Sequence, residues 1–175
     1  TILLKLQELL RQKGVENEII LLRTKNIKRC TACVEYCNHQ HKCHIKDDME
    51  DILNTYVSGD GYIFAFPNYF QMPPGIMKDF IDRSCVLSPQ NREEHFKNKK
   101  AVVITVGTDS KELIKNAADT IAKYYFGEVG LTKVLVKCFR TISELKGNFN
   151  NIFEDDKNPD IQKDLTECVN FLTAN

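Results

Sequence analysis

Apolar residues recur along the chain in two patterns, one typical of helices and one typical of buried strands. Spacings of three and four residues predict helices at residues 2–10, 49–56, 76–81, 114–125 and 161–172. Short, continuous apolar runs predict four strands, in ENEIILLR, YIFAFP, AVVITVG and KVLVKCF. Because strands that alternate with helices form right-handed βαβ units, we expect an α/β fold with a doubly wound parallel sheet, as a single domain over residues 1–175.

The chain opens in a helix that ends at Gly14, whereas such domains usually begin with a strand and a glycine-rich, phosphate-binding turn. It also lacks an initiating methionine and has four predicted strands instead of five. We therefore expect that a segment with a central strand and the phosphate loop precedes this sequence. Residues 141–158 are polar and carry no clear element prediction.

Charge and composition narrow the class of partner. Lys plus Arg and Asp plus Glu number 24 each, so the net charge favours neither nucleic acid nor an anionic membrane as the main partner. No apolar stretch is long enough to cross a bilayer, and no signal peptide is visible. These properties predict a soluble, cytoplasmic protein that binds small molecules or other proteins.

Four of the seven cysteines lie within fourteen positions and are spaced C-x2-C-x3-C-x5-C. Thiolates are soft ligands that suit iron–sulfur clusters and zinc, and this spacing lets four of them converge on one centre. The candidate metal ligands are Cys30, Cys33, Cys37 and Cys43. Two simpler interpretations stay open, a zinc clip that only fixes the loop and thiols that form disulfides on oxidation.

The sequence gives weaker grounds for metal binding by the nearby histidines and by the three other cysteines. His39, His41 and His44 keep a zinc site open, although we expect solvated imidazoles that bind no metal. Three further cysteines fall on predicted helix or strand core faces, where cysteine behaves as a small apolar residue. These are Cys85, Cys138 and Cys168, and no chemistry is assigned to them.

The loops that follow the second and third predicted strands are the expected ligand-binding surface, because open α/β sheets bind ligands at the carboxyl ends of their strands. One loop runs from Pro67 to Pro74, and the other begins at Gly107 and Thr108. The mixture of polar and aromatic side chains in PNYFQM suits a planar, conjugated ligand such as a flavin. In the alternative interpretation, Tyr69 and Phe70 simply plug the end of the sheet.

Two blocks, CTACVEYCNHQHKCHIKDDM and FAFPNYFQMPPGIMKDFIDR, resemble the iron–sulfur flavoproteins of the NADPH-dependent FMN reductase group in the flavodoxin-like superfamily. The resemblance extends to about Val106 and implies a three-layer α/β/α fold. It implies that the four cysteines of the loop bind a [4Fe–4S] cluster, although the family usually has C-x2-C where this chain has three residues between Cys33 and Cys37. The FMN-binding residues that the resemblance implies are Thr1, Pro67, Asn68, Tyr69 and Phe70, and the strand-end position adds Gly107 and Thr108 as candidates.

The resemblance implies an FMN-dependent electron-transfer protein that exchanges electrons with a small redox protein such as a ferredoxin, as a homodimer or homotetramer. One alternative is an NAD(P)H-dependent FMN or quinone reductase whose cysteine loop is only structural. The other is a non-redox binding domain stabilised by zinc. The expected enzyme class is a flavin-dependent oxidoreductase, and the sequence identifies no catalytic residue.

Overall fold

Three parallel strands form the sheet in a computed structural model that describes residues 1–87, 95–141, 144–148, 151–153 and 158–174. The strands are β1 (Gly61–Pro67), β2 (Lys100–Gly107) and β3 (Lys133–Arg140), in the order β1-β2-β3. In the parallel register, Gly61 of β1 faces Lys100 of β2, which in turn faces Lys133 of β3. Three of the four predicted strands are therefore confirmed.

The helices follow the predicted apolar spacing. One further helix lies inside the segment that carries the four candidate cysteine ligands, residues 30–43, which we call the cysteine segment. They are α1 (Ile2–Gln12), α2 (Val34–Gln40), α3 (Met49–Ser58), α4 (Gly75–Arg83), α5 (Lys111–Thr120), α6 (Phe126–Glu128) and α7 (Pro159–Thr173). Gly14, with a φ of 72°, follows the end of α1, as predicted. A π-helical turn, Ile121–Tyr125, joins α5 to α6, and 3₁₀ turns lie at Leu22–Thr24 and Ser84–Val86.

The helices cover both faces of the sheet and bury a separate apolar core on each. On one face, aromatic side chains of β1 pack with residues of α3, α4 and α5, as Phe64 does with Phe80 at 5.6 Å between ring centroids. On the other face, Val102 and Ile104 of β2 pack with Leu6 of α1 and Leu165 of α7. The result is a sheet between two helical layers.

The strand predicted in ENEIILLR is wrong. Residues 15–21 form neither helix nor strand, and a 3₁₀ turn follows them at Leu22–Thr24. A strand exists only through hydrogen bonds to a neighbouring strand. Within the described part of the chain, no strand pairs with this segment, although its apolar residues Ile20 and Leu22 still pack against the core.

The sequence also predicts that β1 is buried on both faces, and this holds only for β2. In β1 the even-numbered residues Tyr62, Phe64 and Phe66 are buried, while Ile63 and Ala65 are half-buried. In the described sheet β1 has β2 as its one strand neighbour and so lies at an edge. The central position of β2 explains why Ala101 to Ile104 are all fully buried.

In the region predicted to be polar and unpatterned, residues 141–158, the positions 142–143, 149–150 and 154–157 lie outside the described residues. The other positions in this region form turns and isolated bridges, and no helix or strand runs through them. Among the helices that the structure describes, none has the length and apolar character that crossing a bilayer requires.

Candidate functional site

The segment that carries the four candidate ligands is not a plain loop, because helix α2 forms within it. Cys33 is the residue before α2, and Cys37 lies one turn later, where its N–H donates to the Cys33 carbonyl at 3.1 Å. Residues four apart share a helix face, so both thiols point to the same side. The helix ends at Gln40, and the next residue, His41, adopts the left-handed conformation with a φ of 49°.

The structure brings two of the four predicted ligands into contact. Cys33 Sγ lies 3.7 Å from Cys37 Sγ and 3.3 Å from His44 Nδ1. Cys30 Sγ instead accepts a hydrogen bond from the Ala32 amide at 3.4 Å. Among the residues that the structure describes, no three Cys, His, Asp or Glu side chains form a group able to hold a metal ion. The complete ligand set therefore remains a prediction.

Burial and neighbouring thiols shape the chemistry of Cys37. Burial raises the pKa of Cys37 to about 12, and the hydrogen bond with Cys33 and the charges of nearby thiols act in the same direction. Without metal, Cys37 is therefore a neutral thiol at neutral pH. Because metals bind the thiolate, ligation at Cys37 must release a proton.

Cys85 belongs to this thiol group, although the sequence assigns it no chemistry. It lies in the 3₁₀ turn directly after α4, half-buried, and its charge acts on the Cys37 thiol. A sequence pattern cannot reveal this proximity, because 48 positions separate the two residues. Burial raises the pKa of Cys138 to about 11 and that of Cys168 to about 12, which agrees with the inert, apolar role predicted for both.

A buried ion pair closes the base of the cysteine segment, and the sequence does not reveal it. Arg83 Nη1 lies 2.7 Å from Asp47 Oδ2 and Nη2 lies 3.0 Å from Asp47 Oδ1, with 1% and 0% of the two side chains exposed. Nη1 also donates to the Lys28 carbonyl at 2.7 Å. Asp47 accepts from the amides of Lys28, at 2.8 Å, and Met49, at 3.1 Å. The pair thus fixes the residues on either side of all four cysteines.

The electrostatics of this pair keep both groups charged. Burial alone raises the pKa of Asp47, but the hydrogen bonds from Arg83, Lys28 and Met49 outweigh it and hold the pKa below its ordinary range. Burial likewise lowers the pKa of Arg83, whereas Asp47 and Cys43 raise it, and the net direction is upward.

The loop after β1 forms a tight two-residue turn at its tip. Tyr69 and Met72 exchange backbone hydrogen bonds of 3.0 Å, and the two residues between them have positive φ values of 52° and 60°. Gln71 in this turn accepts a hydrogen bond from Asn116 of α5 at 2.9 Å. Phe70 is 94% exposed and Tyr69 58% exposed, so neither residue plugs the end of the sheet. The alternative interpretation of these two residues is therefore wrong.

Asn68 provides the observation that tests this edge for a polar ligand. Its amide donates to the Val106 carbonyl at 2.7 Å, which fixes the residue beside the end of β2. Its side-chain oxygen Oδ1 is buried and has no hydrogen-bond partner among the described residues. Buried polar atoms are nearly always paired, so Asn68 is suited to accept a hydrogen bond from a bound ligand such as FMN.

The other predicted flavin residues lie at strand or helix ends. Pro67 ends β1 and Gly107 ends β2, where they are offset by one position in the register. Thr108 is exposed, and its carbonyl lies 3.5 Å from Arg140 Nη2. Thr1 is exposed at the start of α1, and its carbonyl accepts the Lys5 amide at 3.0 Å. These contacts leave the flavin roles of the four residues as predictions.

Substitution Gly107→Ala is expected to disturb this edge. A Cβ at Gly107 would lie 3.0 Å from the Asn68 Cβ and 3.1 Å from Ile114 Cγ1, so Asn68 or α5 must shift. Overpacking of this kind destabilises a protein by about 1–3 kcal/mol. Urea unfolding measures the change in the free energy of unfolding.

The matched control is Gly127→Ala in α6, where a Cβ would meet nothing within 4 Å. This change is expected to be neutral or to stabilise by about 0.5–1 kcal/mol, since alanine favours helix. Equal effects of the two substitutions would show that Gly107 is not needed for close packing.

The protein has a parallel sheet between two helical layers, with the loop after β1 at the carboxyl edge of the sheet. The predicted flavodoxin-like fold is therefore confirmed. Residues 1–132 match the sequence model of the family described as NADPH-dependent FMN reductase. The chain belongs to that family. The resemblance to its iron–sulfur flavoproteins is confirmed by the relatives that follow.

Two archaeal relatives are both iron–sulfur flavoproteins. The protein of Methanosarcina thermophila is 32% identical over 100 residues, which cover 57% of this chain and 51% of that protein. A protein of Methanocaldococcus jannaschii is 32% identical over 96 residues, covering 55% of this chain and 48% of that protein. The chain thus spans about half the length of the curated relatives it matches.

Solved structures support the fold at low sequence identity. The NAD(P)H:quinone oxidoreductase from Methanothermobacter marburgensis superposes with a TM-score of 0.72 and 16% identity, covering 99% of this chain and 88% of that one. An FMN-dependent NADH-azoreductase from Bacillus anthracis, solved in complex with FMN, gives a TM-score of 0.69 and 12% identity, covering 99% and 90%. At such identities the likeness establishes the fold alone.

Proposed function

We propose that this protein binds FMN at the carboxyl ends of β1 and β2 and carries an iron–sulfur centre on the cysteine segment. The observation that carries the proposal is the thiol group around Cys37, which the Arg83–Asp47 pair holds against the end of α4. Helix α4 begins directly after the loop with Asn68 and ends at Arg83. One helix therefore links the proposed flavin site to the proposed metal centre.

The flavin would be held by residues of the two strand ends. Asn68 would supply the hydrogen-bond acceptor, since its buried Oδ1 has no other partner among the described residues. Tyr69 and Phe70 would offer exposed aromatic surface to a planar ring. Pro67, Gly107 and Thr108 would border the ring, and Thr1 would lie near the phosphate. When bound, FMN accepts and donates electrons or hydride.

The metal centre would take thiolate ligands from Cys30, Cys33, Cys37 and Cys43, and we propose a [4Fe–4S] cluster. Three of these thiols already interact, since the charges of Cys33 and Cys43 both act on Cys37. Soft thiolates are the donors that iron–sulfur clusters require, so the donor set fits. We further propose that electrons pass to or from NAD(P)H or a ferredoxin-like carrier, and that the protein is a homodimer or homotetramer.

A second candidate function, a structural zinc site, is favoured by one distance. Two thiolates on one tetrahedral ion with bonds of about 2.3 Å stand about 3.8 Å apart. The separation of Cys33 Sγ and Cys37 Sγ is 3.7 Å, and His44 Nδ1 lies 3.3 Å from Cys33 Sγ. In this alternative the segment is a zinc clip, and the flavin alone carries the chemistry.

Anaerobic purification of the full-length gene product distinguishes the candidates. The proposed function predicts brown protein with about four irons and four sulfides per chain, together with FMN. Zinc in the absence of iron, with FMN present, would instead establish the zinc clip in a flavin reductase. Protein that takes up neither iron nor FMN on reconstitution with iron, sulfide and FMN would refute the proposal.

Asn68→Ala is expected to weaken FMN binding about 5- to 150-fold, the range that corresponds to losing one buried hydrogen bond of about 1–3 kcal/mol. Fluorescence titration of the full-length protein with FMN measures the dissociation constant. The control is Asn54→Ala, at an exposed position of α3. The assignment of Asn68 fails if the two variants bind FMN equally well.

A further inference from the structure

Arg83 is almost completely buried, yet one of its donors is not used within the described part of the chain. Both terminal nitrogens bind Asp47, Nη1 also binds the Lys28 carbonyl, and Nη2 lies 3.5 Å from the Ile45 carbonyl. The remaining N–H, on Nε, is buried and has no hydrogen-bond partner among the described residues. Since buried donors are nearly always paired, this one is suited to an acceptor that becomes available only when the cysteine segment binds a ligand.

Cys43 lies beside this guanidinium. The Cys43 side chain and its charge both raise the pKa of Arg83. Cys43 is half-buried and packs against the core that contains Cys37. A neutral thiol is a weak acceptor, whereas a metal-bound thiolate carries negative charge and accepts strongly. Binding of a metal centre would therefore turn the neighbour of Arg83 into the acceptor that Nε lacks.

Arg83 also holds together the two ends of the cysteine segment. Through Asp47 and the Lys28 carbonyl, it holds the chain just before Cys30 and just after Cys43. A second pair of hydrogen bonds joins the same two chain segments. Asp48 Oδ2 accepts from the Asn26 amide at 2.8 Å, and the Asp48 amide donates to the Asn26 carbonyl at 3.1 Å. Without the hydrogen bonds of the Arg83 guanidinium, only this outer pair of hydrogen bonds would join the two ends of the cysteine segment.

We propose that Arg83 is a positioning residue of the cysteine centre: it fixes both ends of the cysteine segment and donates a hydrogen bond from Nε to the Cys43 sulfur. The proposal rests on the metal centre of the proposed function. It adds that the buried cation offsets the negative charge of the thiolates. Hydrogen bonds and positive charge at a ligand sulfur favour the reduced state of a cluster, so Arg83 raises the reduction potential.

The test compares Arg83→Lys and Arg83→Gln with the unchanged full-length holoprotein. Lysine keeps the charge but lacks the planar fork and the Nε donor, and glutamine also removes the charge. We expect a more negative midpoint potential in both variants, with the larger shift in Arg83→Gln. Iron should also be lost to the chelator bathophenanthroline about 10- to 100-fold faster, the range by which outer hydrogen bonds alter metal sites.

Asp47→Asn separates the two parts of the proposal, because it weakens the clamp and leaves Nε in place. This variant should lose iron faster than the unchanged protein but keep a potential closer to it than either Arg83 variant does. Unchanged potentials in both Arg83 variants would overturn the sulfur contact. Failure of both Arg83 variants to fold, with Asp47→Asn folded, would show a purely structural role and also overturn it.

Amide hydrogen exchange of the metal-free protein keeps the clamp testable by itself. Faster exchange across residues 28–47 is expected in both Arg83 variants, and unchanged exchange there would overturn the clamp. If the unchanged protein takes up no iron on reconstitution, the proposed metal centre fails and the sulfur contact with it, whereas the exchange result still decides the clamp.

Discussion

Cys37→Ala is expected to abolish the metal centre, with iron falling from about four to less than about one per chain. Cys37 is the most buried of the four candidate ligands and lies 3.7 Å from Cys33 Sγ. The charges of three other cysteines act on it, so its removal takes away the thiol around which the others gather. Iron and sulfide analysis, with the visible absorption spectrum, measures the loss.

The matched control is Cys168→Ala. Cys168 is as buried as Cys37, but it lies in the core on the opposite face of the sheet, so the same atom is removed far from the cysteine segment. Both variants should lose comparable stability from the small cavity. Only Cys37→Ala should lose iron, and retention of the full iron content in this variant would show that another group is the fourth ligand.

Most of the fold follows from local patterns in the sequence. The strand β2 is an uninterrupted apolar run, and helices α1, α5 and α7 show apolar residues at spacings of three and four, so each was predictable without a partner. ENEIILLR failed because an apolar run alone cannot report whether a neighbouring strand is present. Helix α2 escaped prediction because VEYCNHQ has no apolar periodicity.

The candidate site was predictable in its residue types and less so in its contacts. The spacing of the cysteines marks a thiol group, and the structure confirms the contact of Cys33 with Cys37. The same spacing carries no information on Cys85 or on the Arg83–Asp47 pair, whose members are 36 positions apart. Such pairs depend on how α4 packs, and a single sequence contains no signal for that packing.

Helix α4 gives the two candidate sites a common support. Its first residue, Gly75, follows the loop that presents Asn68 and Phe70, and its last residue, Arg83, binds the base of the cysteine segment. Met77 and Phe80 bury the helix in the core between these ends. A displacement of α4 would therefore move both candidate sites together.

Asp47→Asn is expected to destabilise the protein by about 3–5 kcal/mol at neutral pH, because it leaves the Arg83 guanidinium buried without its counter-charge. The effect should depend on pH. Hydrogen bonds from Arg83, Lys28 and Met49 hold the pKa of Asp47 below its ordinary value of about 3.9. The stability that Asp47 contributes is therefore complete above about pH 5 and is lost as the pH falls through the unfolded-state pKa towards the lower folded-state pKa.

Urea unfolding of both proteins from pH 7 to pH 2.5 measures this dependence. The difference in free energy of unfolding should be constant above about pH 5 and shrink at lower pH, because protonation of Asp47 then removes the same charge as the substitution does. The control, Asp51→Asn at an exposed position of α3, should change stability by less than about 1 kcal/mol. A difference that stays constant down to pH 2.5 would show that Asp47 does not titrate as an ion-paired carboxylate, and the charge of Arg83 would then need another partner.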